Sequence, residues 1–375
     1  MPKFLSLKKK RCFMAKIIYT NPAFLPPIEE YVKYLEKAYQ RGSLTDHGIL
    51  LDELEQRLKK YLNVQDLQCV TSATTALQIA IKALGIENGE IITTPFSYVA
   101  TTSAILAEKC TPVYVDIEPN YFNIDANKIE QAITPQTKAI MPVHIFGRAC
   151  NIEKIEEIAQ KHDLKIIYDA AHAFGAEYNG KSILNYGDIS VVSMQETKLF
   201  HTVEGGIMTA KDPYISRQID LIKKCGHEDE NFERDGINAR LSELHAAMGL
   251  ANLDHIDENI AKREMLSETY DELLENSVIL PKKQQNLNYK YPYYVIVLNS
   301  IEQRKNVEKA LCDEQIYPWH CYSPTLNTLK YLKTSQPCPI AEDLVSRMLM
   351  MPLYVELERA DIERVCEVVL RTVKN

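Results

Sequence analysis

Residues 166–173 read IIYDAAHA, and this stretch indicates both the fold and the chemistry of the chain. A strongly apolar, β-rich run ends in Asp169, which is followed by small residues and His172. A carboxylate at the end of such a strand is costly unless it is paired or hydrogen-bonded. One role that uses it is holding a proton on a pyridine nitrogen, which makes the ring an electron sink. The other interpretation is an aspartate that caps a following helix.

The sequence around this stretch alternates short β-rich runs with amphipathic segments from about residue 66 to residue 210. This alternation predicts an α/β fold with a parallel or mostly parallel sheet that is covered by helices on both faces. Ligands of such sheets bind beyond the carboxyl ends of the strands, which is where Asp169 falls. The predicted strands are 68–71, 90–93, 113–116, 139–143, 164–168, 189–193 and 207–209, and the predicted helices are 74–84, 98–108 and 152–161.

The chain has 375 residues, which is long for one hydrophobic core and predicts a large domain with a smaller one. Residues 211–275 are helical and charged in pattern. A strand over 289–298, a helix over 301–314, a strand near 316 and a helix over 361–373 then predict a smaller C-terminal α+β domain. We therefore expect an N-terminal tail over 1–16, a large domain over 17–275 and a small domain over 276–375.

Composition excludes several classes of protein. Hydrophobic residues make up 46% and charged residues 25%, as in ordinary globular proteins. The 43 Lys and Arg against 51 Asp and Glu give a net charge of -8, which argues against wholesale binding to nucleic acid or to acidic membranes. No stretch approaches the roughly 18 to 20 apolar residues of a transmembrane helix. Nine scattered cysteines are typical of reduced thiols, so we expect a soluble, cytoplasmic protein.

Lys198 is the second residue that could carry chemistry. It lies 29 residues beyond Asp169 and just past the β-rich run 189–193. A lysine that attacks an aldehyde must be desolvated or lie near other cations so that its amine is free. Gly205 and Gly206 follow it and allow the backbone to turn and to approach another segment closely. The alternative is a solvated surface lysine.

The third candidate is the hydroxyl-rich turn TSATT over 71–75, between a predicted strand and a predicted helix. Exposed amides at a helix N-terminus can bind phosphate, although a plain helix cap is the alternative. The sequence contains neither a GxGxxG motif nor a Walker lysine loop, so a dinucleotide or nucleoside triphosphate cofactor is not supported. The spacing of the histidines and cysteines does not match a compact zinc site, and we expect no metal.

These segments, in this order, resemble the DegT/StrS family of nucleotide-sugar aminotransferases from about Phe24 to the C-terminus. The resemblance implies the fold of type I enzymes that use pyridoxal 5'-phosphate (PLP), in which the large domain has a seven-stranded, mostly parallel sheet. The motifs that carry it are LTDHG (44–48), TPFSYVAT (94–101), PVHIFG (142–147), DAAHAFG (169–175), TKLFHTVEGG (197–206) and GINAR (236–240).

The resemblance implies three catalytic residues. Lys198 matches the lysine that bonds covalently to PLP, and Asp169 matches the partner of the pyridine nitrogen. His172 lies where the family has Gln or His near the phenolic oxygen of the cofactor. Tyr98 matches an aromatic residue that stacks on the cofactor ring, although a core tyrosine is the alternative interpretation.

The resemblance also implies how the cofactor phosphate is held. Ala73, Thr74 and Ser193 match positions that bind it through amides and hydroxyls. Asn238 matches an asparagine that reaches it from the neighbouring subunit, which implies a homodimer with shared active sites. Ala73 replaces the usual glycine and fits only with a negative φ. We expect Glu196 to point away from the active site, because an inward carboxylate would favour the protonated amine of the catalytic lysine.

The implied activity is transfer of an amino group from L-glutamate to C-4 of a dTDP-4-keto-6-deoxyhexose, on the dTDP-viosamine route to O-antigen. Residues 318–322, PWHCY, depart from the family pattern in a region that borders the substrate, so the exact sugar is not determined. A 3-keto-sugar aminotransferase is the close alternative, and a non-catalytic regulatory or binding protein of the same fold is a second. A sugar dehydratase on this fold would need histidine at the position of Lys198.

Overall fold

The computed structural model describes residues 16–45, 48–332 and 336–374. Most of the predicted tail and residues 46–47 of the LTDHG motif lie outside this range. The helices are α1 Ile28–Arg41, α2 Ile49–Tyr61, α3 Ala73–Ala83, α4 Ala100–Ala107, α5 Ala126–Ile129, α6 Ile152–His162, α7 Pro213–Lys223, α8 Glu243–Leu253, α9 Ile256–Leu274, α10 Ile301–Asp313, α11 Pro339–Arg347 and α12 Arg359–Val373. The strands are β1 Ile18–Tyr19, β2 Gln68–Val70, β3 Glu90–Thr93, β4 Thr111–Tyr114, β5 Thr137–Met141, β6 Lys165–Asp169, β7 Glu177–Tyr178, β8 Lys181–Ser182, β9 Ile189–Ser193, β10 Gly206–Ala210, β11 His227–Glu228, β12 Asn231–Phe232, β13 Leu287–Asn288, β14 Tyr294–Val297, β15 Ile316–Tyr317 and β16 Met348–Met351.

The central sheet has seven strands in the order β2-β10-β9-β6-β5-β3-β4. Only β10 runs antiparallel to its neighbours β2 and β9, and the other pairs are parallel. The prediction of an α/β fold with a mostly parallel sheet is therefore confirmed. β6 lies at the centre of the sheet, so Asp169 ends a strand that is flanked on both sides.

Both faces of this sheet are buried, which explains why its strands are almost continuously apolar. In β6, Ile166 and Tyr168 belong to one core cluster, whereas Ile167 between them belongs to another. The same alternation separates Ile92 from Ile91 in β3. Successive side chains of a strand point to opposite faces, so each face needs its own layer of helices.

The C-terminal part of the chain forms the antiparallel pair β14–β16 with its own core, to which α10 and α12 contribute. This core also takes Leu266, Tyr270 and Leu274 of α9 and Ile18 of β1. The predicted strand over 289–298 is shorter in the structure, because Pro292 cannot donate a hydrogen bond to a sheet and β14 begins only at Tyr294. The domain boundary near residue 275 stays a prediction.

Two further features bear on the sequence predictions. Among the described residues, no helix is both long and apolar enough to cross a membrane. The eight cysteines in the described part of the chain are all unpaired, and no cluster of potential ligands that could hold a metal ion is found there.

Candidate active site

A cavity of about 430 Å³ lies at the carboxyl ends of the parallel strands and has the size of a small-molecule site. The structure brings seven of the eight predicted site residues to its wall. These residues are Ala73, Thr74, Tyr98, Asp169, His172, Ser193 and Lys198. Asn238 does not line the cavity and is exposed.

Asp169 is a buried carboxylate, 4% exposed, at the end of β6. Its Oδ2 accepts a hydrogen bond from the Thr101 hydroxyl at 2.8 Å, and its Oδ1 accepts one from the Ala171 amide at 3.1 Å. Burial raises the pKa of Asp169, whereas these two hydrogen bonds and the charge of Lys198 lower it. A turn and not a helix follows β6, so the helix-cap interpretation is wrong.

Lys198 follows β9 in a loop that returns to β10. Its Nζ donates a hydrogen bond to the Tyr293 hydroxyl at 3.0 Å and lies 5.6 Å from the centre of that ring. The lysine is half-buried and lines the cavity, so it is not a solvated surface residue. Glu196 is exposed and does not line the cavity, as expected.

His172 is held in one tautomer by its neighbours. The Phe146 amide donates to Nδ1 at 3.2 Å, so the ring proton is on Nε2, which faces the Tyr322 hydroxyl at 3.0 Å. Burial lowers the pKa of His172 well below its usual value, and the charge of Lys198 acts in the same direction. His172 is therefore a neutral donor, and its ring lies nearly parallel to the rings of Phe146 and Tyr322, each with its centre 6.0 Å away.

The turn before α3 caps the helix and leaves backbone amides that could bind an anion. Ser72 caps the helix, because its hydroxyl accepts the Thr75 amide at 3.1 Å. The amides of Ala73 and Thr74 belong to the first turn of α3 and have no acceptor within the helix, so they can bind an anion. Ala73 is the first residue of α3 and is not among the residues with positive φ, which explains why alanine fits there.

Three residues that contact the predicted site residues Asp169, Lys198 and His172 in the cavity were not themselves predicted as site residues from the sequence. Thr101 supports Asp169, Tyr293 contacts Lys198 and Tyr322 contacts His172. Tyr322 lies in the PWHCY segment, which the family resemblance places at the substrate border, and Trp319 of the same segment also lines the cavity. The signal for Tyr293 was the aromatic run over 289–294, which we interpreted only as a strand.

Comparison with known proteins decides the assignment. Residues 27–370 match the DegT/DnrJ/EryC1/StrS aminotransferase family. This chain belongs to that family. The predicted family, fold and enzyme class are thereby confirmed: the chain is a PLP-dependent nucleotide-sugar transaminase.

Similar proteins within the family act on different sugars. A dTDP-4-amino-4,6-dideoxy-D-glucose transaminase from Shigella dysenteriae is 36% identical over 93% of this chain and 97% of that relative. A dTDP-3-amino-3,6-dideoxy-alpha-D-galactopyranose transaminase from Aneurinibacillus thermoaerophilus is 31% identical over 91% of this chain and 96% of that relative. The crystal structure of DesI in the presence of its TDP-sugar product has a TM-score of 0.89 at 26% identity and covers 96% of this chain and 95% of the DesI chain.

The cavity of this DegT/StrS-family enzyme fits PLP. A buried carboxylate at Asp169 suits a protonated pyridine nitrogen, and the free amides at the start of α3 suit a phosphate. Lys198 lies in the same cavity with its amine available for a covalent bond. When bound, the cofactor supplies an electron sink for the carbanion that forms at the donor carbon. The individual residue assignments remain predictions.

Gly206→Ala should weaken cofactor binding by at least about tenfold, because there is no room for an extra atom between Gly206 and the turn that we expect to bind the phosphate. A Cβ at Gly206 would lie 2.7 Å from the carbonyl carbon of Ser72 and 2.8 Å from the amide nitrogen of Ala73. The added methyl group must therefore displace the amides that we expect to hold the phosphate, and loss of a few such hydrogen bonds costs about tenfold or more. Titration of the cofactor-free protein with PLP measures the effect.

Ala73→Gly is the matched control, since it changes the same turn without adding an atom to it. It should leave the dissociation constant for PLP within about threefold. Equal affinity of Gly206→Ala and the unaltered protein would show that the turn before α3 does not hold the phosphate.

Proposed function

We propose that this transaminase moves the amino group of L-glutamate to the 4-keto carbon of a dTDP-4-keto-6-deoxyhexose in the cytoplasm, for cell-surface polysaccharide biosynthesis. The observation that carries the proposal is the similarity to the Shigella dysenteriae 4-amino-sugar transaminase, at 36% identity over nearly the whole chain. The 3-amino-sugar transaminase from Aneurinibacillus thermoaerophilus is less similar, at 31% identity.

The residues that line the cavity have different roles in the proposed reaction. Asp169 keeps a proton on the pyridine nitrogen of the cofactor, and Thr101 keeps that carboxylate ionised by donating to it. Lys198 would remove the proton from the α-carbon of the amino donor as a general base, and would return it as a general acid to the carbon on the other side of the transferred nitrogen. His172, which stays neutral, faces the cavity as a hydrogen-bond donor with Tyr322.

The proposal includes a homodimer in which Asn238 reaches the cofactor phosphate of the partner subunit. Asn238 is exposed, whereas the backbone around it is held, because the Cys225 amide donates to Ile237 and the Ala239 amide donates to Lys223. A rigid backbone that presents an exposed amide side chain is suited to binding a group on a second molecule. The same side chain lies outside the cavity of its own subunit.

The test supplies the enzyme, with L-glutamate, either with dTDP-4-keto-6-deoxyglucose or with its 3-keto isomer. We expect kcat/KM to be at least about 100-fold higher for the 4-keto sugar, because a site built to bind particular hydroxyl groups rejects their rearrangement strongly. Mass spectrometry and NMR of the product identify the aminated carbon. Preferential amination at C-3 would contradict this proposal and would identify the enzyme as a 3-keto-sugar aminotransferase.

A further inference from the structure

A buried arginine lies behind the wall of the active site. Arg263 of α9 is 4% exposed, and burial lowers its pKa to about 10, so it stays charged at neutral pH. Its guanidinium donates to the Pro292 carbonyl at 3.1 Å and to Asn21 Oδ1 at 3.1 Å. Among the ion pairs of the described residues, none includes Arg263. A buried charge without an ion pair is expensive, so its hydrogen-bond partners must offset the cost.

The two hydrogen-bond partners of Arg263 connect it to Tyr293 and Lys198, which contact each other in the cavity. Pro292 directly precedes Tyr293, and Asn21 donates from Nδ2 to the carbonyl of Thr197, which directly precedes Lys198. The side chains of Tyr293 and Lys198 then meet at 3.0 Å. Two segments that are 95 residues apart in the chain are thus joined twice, once through a buried guanidinium and once inside the active site.

We propose that Tyr293 is a further catalytic residue, whose hydroxyl orients the Lys198 amine, and that Arg263 is the positioning residue that holds the two together. A lysine side chain has four rotatable bonds, and an amine that moves a proton must direct its lone pair at one carbon. When one N–H donates to the Tyr293 hydroxyl, the lone pair is left to face the cavity. Tyr293 is itself fixed edge-on to His172, with ring centres 5.1 Å apart.

The choice of arginine supports this role. A guanidinium has five N–H donors in a rigid, planar fork and can reach two acceptors in different directions at once. An ammonium group is a single point on a flexible stem, so it cannot span the Pro292 carbonyl and the Asn21 amide while holding both in place. A lysine at position 263 would keep the positive charge but would not join the Pro292 carbonyl to Asn21.

The first test is Tyr293→Phe, followed by a pH titration of the absorbance of the bound cofactor in the absence of any sugar. A hydroxyl that accepts a hydrogen bond from the Lys198 nitrogen favours the protonated form. Its loss should move the pH midpoint of the colour transition down by about one unit and slow turnover by about tenfold. Tyr294→Phe is the matched control, since the Tyr294 hydroxyl bonds to Asp271 outside the cavity, and it should change neither quantity. An unchanged midpoint in Tyr293→Phe would overturn the role of Tyr293.

The second test is Arg263→Lys, alone and combined with Tyr293→Phe. If the arginine acts through Tyr293, the single variant shifts the midpoint in the same direction and the double variant behaves like Tyr293→Phe alone. Additive shifts, or no shift, would overturn the positioning role. Asn21→Ala removes the hydrogen bonds that Asn21 makes with Arg263 and with the Thr197 carbonyl. This variant replaces Arg263→Lys if Arg263→Lys does not fold.

Arg304→Lys controls for the general cost of altering a buried arginine. Arg304 is 8% exposed and bonds to Glu308 and to the Ser346 carbonyl, remote from the cavity. We expect it to lower the melting temperature without moving the midpoint. Because the pH midpoint is measured on the cofactor-loaded enzyme without any sugar, a wrong sugar in the proposed function would not affect this readout.

Discussion

Lys198→Ala should abolish the yellow absorbance of the bound cofactor and lower turnover by about 10⁴-fold or more. Lys198 is the cavity residue whose amine can bond to the cofactor aldehyde and can then move the proton of the amino donor. Its position in a half-buried loop beside Tyr293 allows both roles. Lys198→Arg should be equally inactive, because a guanidinium stays protonated and cannot act as a base. The absorbance spectrum and a coupled assay for 2-oxoglutarate measure the two losses together.

Lys211→Ala is the matched control, because Lys211 is an exposed lysine just past β10 and should be dispensable. Substantial turnover by Lys198→Ala would refute the assignment of the whole site.

The inactive variant also tests the proposed dimer. Mixed with Asn238→Ala, it should regain activity, since one site of each mixed dimer then combines an intact Lys198 with an intact Asn238. No recovery after subunit exchange would argue against shared active sites.

The parts of the site that lie on one short segment could be predicted from the sequence. The apolar run that ends in Asp169 predicts a central strand, and the structure places that carboxylate at the carboxyl end of β6. The TSATT turn predicts a helix start, and α3 begins there with Ser72 as its cap. In each case residue type and hydrophobic periodicity within about ten residues decide the local structure. The family resemblance then connects these segments to one cofactor.

The contacts between distant segments could not be predicted in this way. Thr101 and Asp169 are 68 residues apart, Lys198 and Tyr293 are 95 apart, and His172 and Tyr322 are 150 apart. A local sequence pattern does not show which strand ends are neighbours in the fold, because tertiary packing determines that arrangement. A tyrosine in an apolar run is usually a core residue, so the run before β14 carried no sign that its hydroxyl contacts a catalytic amine.

Asp169→Asn should lower kcat by about 10²- to 10³-fold while it leaves the fold intact. The substitution keeps the shape of the side chain but removes the charge that we propose holds a proton on the pyridine nitrogen. The hydrogen bonds can be rearranged, because the new amide accepts from Ala171 and donates to Thr101, whose hydroxyl can turn toward Ser97. Steady-state kinetics and the affinity for PLP separate loss of catalysis from loss of cofactor.

The same variant should be more stable than the unaltered protein when both lack cofactor. Burial raises the pKa of Asp169 in the folded state above its ordinary value. A carboxyl whose pKa is raised on folding destabilises the folded state as pH rises through the range between the two values, and the cost persists at neutral pH. Asparagine carries no such cost, so the melting temperature of cofactor-free Asp169→Asn should exceed that of the original protein at pH 7. The difference should shrink as the pH falls toward the ordinary pKa of aspartate.

Asp188→Asn is the matched control at the other end of β6. The Asp188 carboxylate accepts the Ile166 amide at 2.8 Å and is partly exposed, so the exchange should leave kcat unchanged. Thermal melts of the cofactor-free proteins across pH, compared with kcat of the loaded enzymes, complete the experiment. If Asp169 has its proposed role, the two effects of Asp169→Asn must have opposite signs, because the buried charge that destabilises the empty cavity is then the charge that the cofactor ring requires. A variant that lost both activity and stability at pH 7 would instead assign Asp169 a mainly structural role.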